Sequence, residues 1–274
     1  MPTFRPGLYV VATPIGNLGD LSPRAAALLV EAQFVAAEDT RTSGVILARA
    51  GSSARLVSLT EHNVMQRAPG LLEAAKSSLV ALVSDAGTPV VADPGARLVE
   101  AAHEAGVAVF AVPGPSALAA AISVSGMAGS DVHFLGFLPR QRGHRRRRLG
   151  AAAASASVLV FFESPGRLSA TLADLAEVLG NPTVTVCREL TKLHEEVVRG
   201  DAKTLAGRFA DARGECTVVV QVPQHSDGDA SGLVEYMAEM QRAGARRGAA
   251  AVEGARRFSV TREQAYAAWP ASTP

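Results

Sequence analysis

Four short loops combine polar side chains with glycine or proline, and each follows an apolar run typical of a strand. They are residues 13–20, 38–42, 84–89 with its continuation to 93–95, and 113–116. Ligands of open α/β sheets bind at the carboxyl ends of the strands, so a site is expected at these loops. Glycine and proline also form ordinary turns. Four such loops at one sheet edge nevertheless favour a small-ligand site made largely of backbone N–H and C=O groups.

None of the loops carries a standard nucleotide-binding signature. The turn after the first strand lacks the Gly-x-Gly-x-x-Gly spacing, and no Gly-Lys-Ser/Thr phosphate loop occurs in the chain. Cys187 and Cys216 each lie in an apolar, strand-like run without metal-ligand spacing. We therefore expect buried thiols rather than a disulfide, and a ligand site without a metal.

The densest charge lies in segment 140–148, where six of nine residues are arginine and none is acidic. The whole chain is nearly neutral, with 27 basic residues, 26 acidic residues and a formal net charge of +1. A run of charge often only solvates a helix face, but this density favours phosphate contact. Nucleic-acid affinity would have to come from such local clustering. The predicted contacts are Arg140, Arg142, Arg145, Arg146, Arg147 and Arg148.

Apolar runs and capping residues predict the elements that position these loops. Up to residue 125, strands at 8–13, 34–37, 79–83 and 107–112 alternate with helices at 22–32 and 93–106 and with a helix that runs through residue 49. Ser22-Pro23 and Asp93-Pro94 suit helix starts, and Gly51 suits a helix end. Fully apolar strands between helices indicate a parallel sheet that is covered on both faces.

A second alternation begins near residue 132. It predicts strands at 158–162, 184–187 and 217–222, and helices at 164–179 and 204–212. Residues 223–232 are polar and glycine-rich, which indicates a linker, and the last part of the chain is helical and basic. We expect an N-terminal α/β domain over 1–116, a second α/β domain over 117–225, and a linker with a basic helical tail over 226–274.

Composition excludes several classes of protein. Hydrophobic residues make up 48% of the 274 residues, which is ample for buried cores. The N-terminus lacks the features of a signal peptide, and no stretch approaches 18 uninterrupted apolar residues. A cytoplasmic protein without a membrane span is expected.

A series of motifs, in order along the chain, resembles the ribosomal RNA small subunit methyltransferase I family of the tetrapyrrole-methylase superfamily. The motifs are residues 8–18, 37–41, 61–63, 84–89, 112–117, 134–139, 162–165 and 188–192. The resemblance implies two α/β domains with S-adenosylmethionine in the cleft between them, and a homodimer. It also implies a substrate, which is the ribose 2′-hydroxyl of a cytidine in the decoding region of 16S ribosomal RNA, in the small ribosomal subunit.

Carried over by position, the resemblance also implies site residues. The donor site would be formed by Pro14, Val83, Ser84, Asp85, Thr88, Ser116, Ala117 and Phe162. Arg41 and Lys192 would contact phosphate or ribose. The weakly acidic hydroxyl needs a proton acceptor, for which Glu61 and His62 are favoured over Asp39 and Glu189.

Two other interpretations stay open. A methylase of a corrin precursor would share the fold and the donor, but it would not need the arginine run. An inactive RNA-binding scaffold would not bind the donor, although the donor motifs are intact.

Overall fold

The computed structural model describes residues 4–93, 95–127, 129–223, 230–258 and 260–270. The chain forms two compact units, one reaching to Val222 and the other beginning at Pro223. The first unit contains two five-stranded sheets.

The first sheet is parallel throughout and has the strand order β3-β2-β4-β1-β5. Its strands are β1 (Gly7–Val11), β2 (Phe34–Ala37), β3 (Arg55–Ser58), β4 (Leu79–Val83) and β5 (Val109–Val112). The helices of this half are α1 (Pro23–Glu31), α2 (Thr40–Ala50), α3 (Val64–Ala75) and α4 (Ala96–Glu104).

Alternating side chains of β1 pack against both layers of helices. Leu8 belongs to the core that contains Leu71 of α3 and Leu98 of α4. Tyr9 belongs to the core that contains Leu28 of α1 and Ile46 of α2. The prediction of a parallel sheet covered on both faces is confirmed.

Local capping explains where most of these helices begin and end. The Ser22 hydroxyl accepts from the Ala25 N–H, and Pro23 occupies the first turn. Gly51 ends α2 with φ +74°, a left-handed conformation that glycine adopts without strain. The predicted start of α4 was wrong, because the helix begins at Ala96 with Gly95 as its N-cap. Pro94 lies outside the described residues.

The second sheet is mixed, with the order β6-β7-β10-β8-β9. Its strands are β6 (Val132–Phe137), β7 (Val158–Glu163), β8 (Thr183–Arg188), β9 (Glu196–Asp201) and β10 (Cys216–Gln221). β6 and β7 are parallel, whereas the β7–β10, β10–β8 and β8–β9 pairs are antiparallel. The helices are α5 (Ala117–Ser125), α6 (Arg142–Ala153), α7 (Pro165–Leu179) and α8 (Ala202–Arg208). Helices α6 to α8 pack on one face and α5 on the other.

The second unit is helical, as predicted. It consists of α9 (Ala230–Arg242), α10 (Arg247–Phe258) and α11 (Arg262–Ala267) around a core that includes Met237, Ala251 and Ala265. The predicted linker extended too far, because α9 already begins at Ala230; residues 224–229 lie outside the described part. Among the described helices, none is both long and apolar enough to cross a membrane.

Candidate active site

A cavity of about 400 Å³ lies between the two α/β halves of the first unit. Five of the predicted donor residues line it: Asp85, Thr88, Ser116, Ala117 and Phe162. From the first half the wall also includes Ile15 and residues 91–93, and from the second half it includes Phe137, Glu163, Cys187, Leu190 and residues 215–217. Three of the four loops singled out in the sequence, those at 13–20, 84–95 and 113–116, therefore contribute to one site together with the second sheet, whereas no residue of loop 38–42 lines the cavity.

Hydrogen bonds connect the loop after β4 to the loop after β1. Thr13 and Gly87 exchange backbone hydrogen bonds of 2.8 and 3.1 Å, and the buried Thr13 hydroxyl donates to the Ser84 carbonyl at 3.0 Å. The Ser84 hydroxyl donates to the Gly87 carbonyl at 3.1 Å, and Gly87 has φ +84°. This network fixes the turn that presents Asp85 and Thr88 to the cavity.

Three predicted donor residues lie behind this wall. Pro14, Val83 and Ser84 are buried and are not among the residues that line the cavity. Ser84 stabilises the turn next to Asp85.

Both sides of the cavity contain strained backbone. Val90 and Ala92 have φ of +73° and +67° in the loop before α4, and Glu189 and Thr191 have φ of +51° and +68° after β8. Residues other than glycine rarely adopt this conformation, which costs about 1–3 kcal/mol each and clusters at functional sites. The strain therefore supports a functional role for the two loops that face each other here.

A group of carboxylates lies at the first-half side of the cavity. Burial, together with the negative charges of Glu38 and Asp85, raises the pKa of Asp93 to about 6, against a hydrogen bond from Ser84 that lowers it. Desolvation and the charges of Asp85 and Glu61 likewise raise the pKa of Glu38. Within the described residues, Glu38, Asp85 and Asp93 form no ion pair. Such a group favours a cationic ligand.

Asp93 was not predicted as a site residue. The sequence offered a signal, since residues 93–95 were included in the third candidate loop, but Asp93 itself was given no role beyond the start of a helix. Its carboxylate lines the cavity instead.

The predicted proton acceptors lie away from the cavity wall. Glu61 and His62 are exposed in the turn before α3 and do not line the cavity. Arg41 hydrogen-bonds Asp39 and lowers its pKa to about 2. The Glu215 N–H and Lys192 lower the pKa of Glu189. A carboxylate with a lowered pKa is a weak base, so Asp39 and Glu189 are poorly suited to accept a proton.

The arginine run forms two faces of α6. Arg142, Arg145, Arg146 and Leu149 follow the i, i+3, i+4, i+7 spacing of one helical face, and this face meets α7. The Arg145 side chain is 6% exposed and binds Asp174, itself 1% exposed, at 2.6 Å. Arg142 binds Asp174 at 2.8 Å and Glu177 at 2.9 Å, and Arg146 also pairs with Glu177.

This pairing corrects the prediction that the whole run is available to phosphate. No acidic residue interrupts the run in the sequence, but Asp174 and Glu177 pair with three of its six arginines across the α6–α7 contact. Arg145 is buried and cannot reach RNA, while Arg142 and Arg146 are already engaged. Arg140, Arg147 and Arg148 are exposed and form no ion pair in the described part of the chain.

The two other predicted phosphate contacts differ in their surroundings. The Arg41 side chain is 90% exposed and pairs with Asp39. Lys192 Nζ lies between Glu189 at 2.9 Å and Glu215 at 3.0 Å, and its side chain crosses Gly16 so closely that a Cβ there would lie 2.5 Å from Lys192 Cγ. Arg41 is therefore open to an anion, and Lys192 is largely neutralised.

Both cysteines line the cavity as free, buried thiols, as predicted from the sequence, although their place in the site was not. Burial raises the pKa of Cys187 and of Cys216 to about 11, so both are protonated near neutral pH. The described residues contain no group of three or more His, Cys, Asp or Glu side chains arranged to hold a metal ion.

Comparison with known proteins places the chain in a family. The model of the tetrapyrrole (corrin/porphyrin) methylases matches residues 7–206. The chain belongs to this family. It is 46% identical over 222 residues to ribosomal RNA small subunit methyltransferase I of Mesorhizobium japonicum, covering 79% of this chain and 76% of that protein. The protein of the same name from Thermotoga maritima is 45% identical over 216 residues, covering 78% and 97%.

These relatives assign this tetrapyrrole methylase to the ribosomal RNA small subunit methyltransferase I family, and it is a methyltransferase. Among solved structures, uroporphyrin-III-C-methyltransferase from Thermus thermophilus superposes with a TM-score of 0.56 at 21% identity, covering 79% of this chain and 94% of that one. At this identity the likeness shows the shared fold alone.

Proposed function

We propose that the protein transfers a methyl group from S-adenosylmethionine to the ribose 2′-hydroxyl of a cytidine in the decoding region of 16S ribosomal RNA, cytidine 1402 in the usual numbering. The observation that carries the proposal is the pairing of two features within one unit. A cavity of cofactor size has an acidic wall. The second α/β half of the same unit carries an exposed arginine surface, formed by Arg140, Arg147 and Arg148. The names of the close relatives support the same reaction.

The residues of the cavity suit the proposed donor. A volume of about 400 Å³ is within the range of small-molecule sites, about 300–1,000 Å³. Asp85 and Asp93 offer negative charge to an ammonium or sulfonium group, and Thr88 and Ser116 offer hydroxyls. Ile15, Phe162 and Leu190 form apolar wall that suits an adenine ring. S-adenosylmethionine supplies a methyl carbon activated by its bond to a positively charged sulfur.

The protein's part in the reaction is to position the hydroxyl and to receive its proton. Alignment of the attacking oxygen with the methyl carbon and sulfur can supply much of the acceleration. We assign the proton to the carboxylate of Asp93, which lines the cavity and, with a pKa of about 6, is a stronger base than an ordinary aspartate yet ionised at neutral pH. S-adenosylmethionine would supply the methyl group and leave as S-adenosylhomocysteine, while the carboxylate of Asp93 would take up the proton of the ribose hydroxyl. Glu61 and His62, predicted from the sequence as proton acceptors, lie outside the cavity wall, and their catalytic role stays a prediction.

The RNA would be held mainly by its phosphates. Arg140, Arg147 and Arg148 are exposed and form no ion pair within the described residues, and Arg41 is exposed beside its partner Asp39. These four are the proposed contacts, because arginine binds phosphate through paired N–H donors. The proposed substrate is the small ribosomal subunit and the proposed assembly is a homodimer, which sedimentation of the purified protein would test.

Methyl transfer to ribosomal subunits tests the proposal. Radiolabelled S-adenosylmethionine is incubated with the protein and small subunits from a strain lacking the enzyme, and the modified nucleotide is mapped. Label on the ribose of the decoding-region cytidine is the expected result. Absence of label on RNA, with donor binding intact by calorimetry, would overturn the substrate and favour methylation of a corrin precursor.

A further inference from the structure

Phe137 is an aromatic residue that the fold leaves open to solvent. Its exposed fraction is 62%, and it lines the cavity at the end of β6. The chain has nine phenylalanines, all within the described part, and the other eight are buried or half-buried. Exposing a large apolar ring is unfavourable in water, so its position at this cavity calls for a ligand that covers it.

The backbone around Phe137 holds the ring in place. Gly136 has φ +61°, and the pairing of β6 with β7 is irregular between Phe134 and Phe137. An irregularity of this kind redirects the following side chain. Leu138, which is 3% exposed, anchors the chain immediately afterwards.

A second aromatic ring supports the first. Phe137 meets Phe162 edge to face, with the ring centroids 5.6 Å apart and an interplanar angle of 63°. Phe162 in turn meets Phe134 at 5.0 Å. Edge-to-face contacts of this kind are favourable and restrict ring motion. The exposed ring is therefore preorganised rather than loosely attached.

The neighbouring charges identify the chemistry of the ligand. Arg140 follows three residues later and is exposed, and α6 begins shortly after it with Arg147 and Arg148 on its solvent face. Proteins that bind single-stranded nucleic acid combine an aromatic stacking surface for bases with cations for phosphates. An apolar protein partner would not require these cations.

We propose that Phe137 is a stacking platform for a nucleobase of the RNA substrate, at the methylated nucleotide or beside it. This inference rests on the proposed function, since it assumes that RNA reaches the cavity. It assigns to Phe137 a substrate-positioning contact distinct from donor binding, and it makes the aromatic face a determinant of RNA affinity.

Substitutions at Phe137 separate this role from the alternatives. Phe137→Ala removes the ring, Phe137→Trp retains an aromatic face, and Val132→Ala is the matched control. Val132 lies at the other end of the same strand, is 39% exposed and does not line the cavity. For each variant we would measure kcat/KM for small subunits, calorimetric affinity for S-adenosylhomocysteine, and sedimentation.

We expect Phe137→Ala to lower kcat/KM by about 5- to 150-fold, the range for losing one stacked base. Affinity for S-adenosylhomocysteine and the oligomeric state should be unchanged. Phe137→Trp should restore most of the activity, and Val132→Ala should match the unaltered protein.

Three results would overturn the inference. An equal loss of S-adenosylhomocysteine affinity would assign the ring to the adenine of the donor. Dissociation of an oligomer would assign it to a contact between copies of the chain, and full activity of Phe137→Ala would leave it without a role. If the unaltered protein binds donor but labels no RNA, the proposed function itself fails and the inference fails with it.

Discussion

The two halves of the first unit treat their charged side chains differently. At the cavity, the first half brings together Glu38, Asp85 and Asp93 without a cationic partner among the described residues. In the second half, the buried carboxylates Glu163 and Asp174 bind Arg167 and Arg145. Grouped like charges raise the free energy of the fold unless a ligand neutralises them, whereas buried pairs are part of the structure. The contrast separates binding carboxylates from structural ones.

Asp174→Ala should have the largest effect on the free energy of unfolding, because it removes the acceptor of a buried arginine. Arg145 would be left with its charge buried and unpaired, and breaking such a pair costs about 3–5 kcal/mol. We expect a loss of that size in the free energy of unfolding, measured by urea denaturation.

Glu177→Gln is the matched control for this prediction. Glu177 is 50% exposed and pairs with Arg142 and Arg146 on the same contact. Exposed ion pairs contribute about 0–1 kcal/mol to stability, so Glu177→Gln should lower the free energy of unfolding only slightly. Equal destabilisation by the two variants would contradict the distinction between buried and exposed pairs.

Asp85→Ala tests the unpaired carboxylates of the first half. A hydrogen bond to a charged group contributes about 1.5–3 kcal/mol, so affinity for S-adenosylmethionine should fall by about 10- to 150-fold in calorimetry. Asp85→Asn retains an oxygen that can accept the Asp39 N–H, seen here at 3.1 Å, and removes only the charge. The affinity of Asp85→Asn should lie between that of the unaltered protein and that of Asp85→Ala. Unchanged affinity in both variants would reject Asp85 as a donor contact.

Arg147→Gln with Arg148→Gln tests the exposed face of α6, where both arginines form no ion pair with any residue that the structure describes. If both contact phosphate, the slope of log affinity against log salt should become shallower by about 1–2 units. RNA affinity should fall while S-adenosylmethionine affinity stays constant. Arg142→Gln with Arg146→Gln, which removes cations already bound by Asp174 and Glu177, should change the slope less; the reverse order would contradict the assignment of the two helix faces.

Asp93→Asn should have a smaller effect on stability than Asp174→Ala, and of opposite sign. With a folded pKa of about 6 against an ordinary 3.8, the folded protein binds the proton more tightly than the unfolded chain. The free energy of unfolding therefore falls as the pH rises from about 3.8 to about 6, and the full decrease is reached above the folded pKa.

Asparagine carries no charge, so Asp93→Asn should raise Tm at pH 7.5. Because the carboxylate is partly exposed, the gain is reduced to about 1 kcal/mol, which corresponds to about 2–4 °C. The gain should vanish below about pH 4, where the carboxyl is protonated in both states. Methyl transfer should fall in the same variant. Stabilisation that persists at low pH would mean that the charge is not its cause.

The first half of the fold was largely predictable because its central strands are short apolar runs between capped helices. Strands β3 and β9 were not predicted, since they are edge strands in which Arg55, Ser58, Glu196 and Asp201 interrupt the apolar pattern. Helices α3, α5 and α6 were not predicted either, and α3 contains Pro69. The antiparallel pairs of the second sheet were not foreseen, because strand–helix alternation alone does not fix strand direction.

The candidate site was predictable where loop chemistry is local, as at Asp85, Thr88 and Ser116. It was not predictable where a partner is distant in sequence. Asp174 neutralises Arg145 from 29 residues away, and no local pattern indicates that contact. Phe137 was inside a recognised motif, yet its exposure depends on the irregular end of β6.

The division of α6 into a paired face and an exposed face affects how this protein can evolve. Positions 145 and 149 are buried and anchor the helix, so substitutions there would destabilise the fold. Positions 144, 147 and 148 are free of that constraint. Selection can therefore strengthen or weaken the attraction to RNA by exchanging outward residues one at a time, with little consequence for foldability.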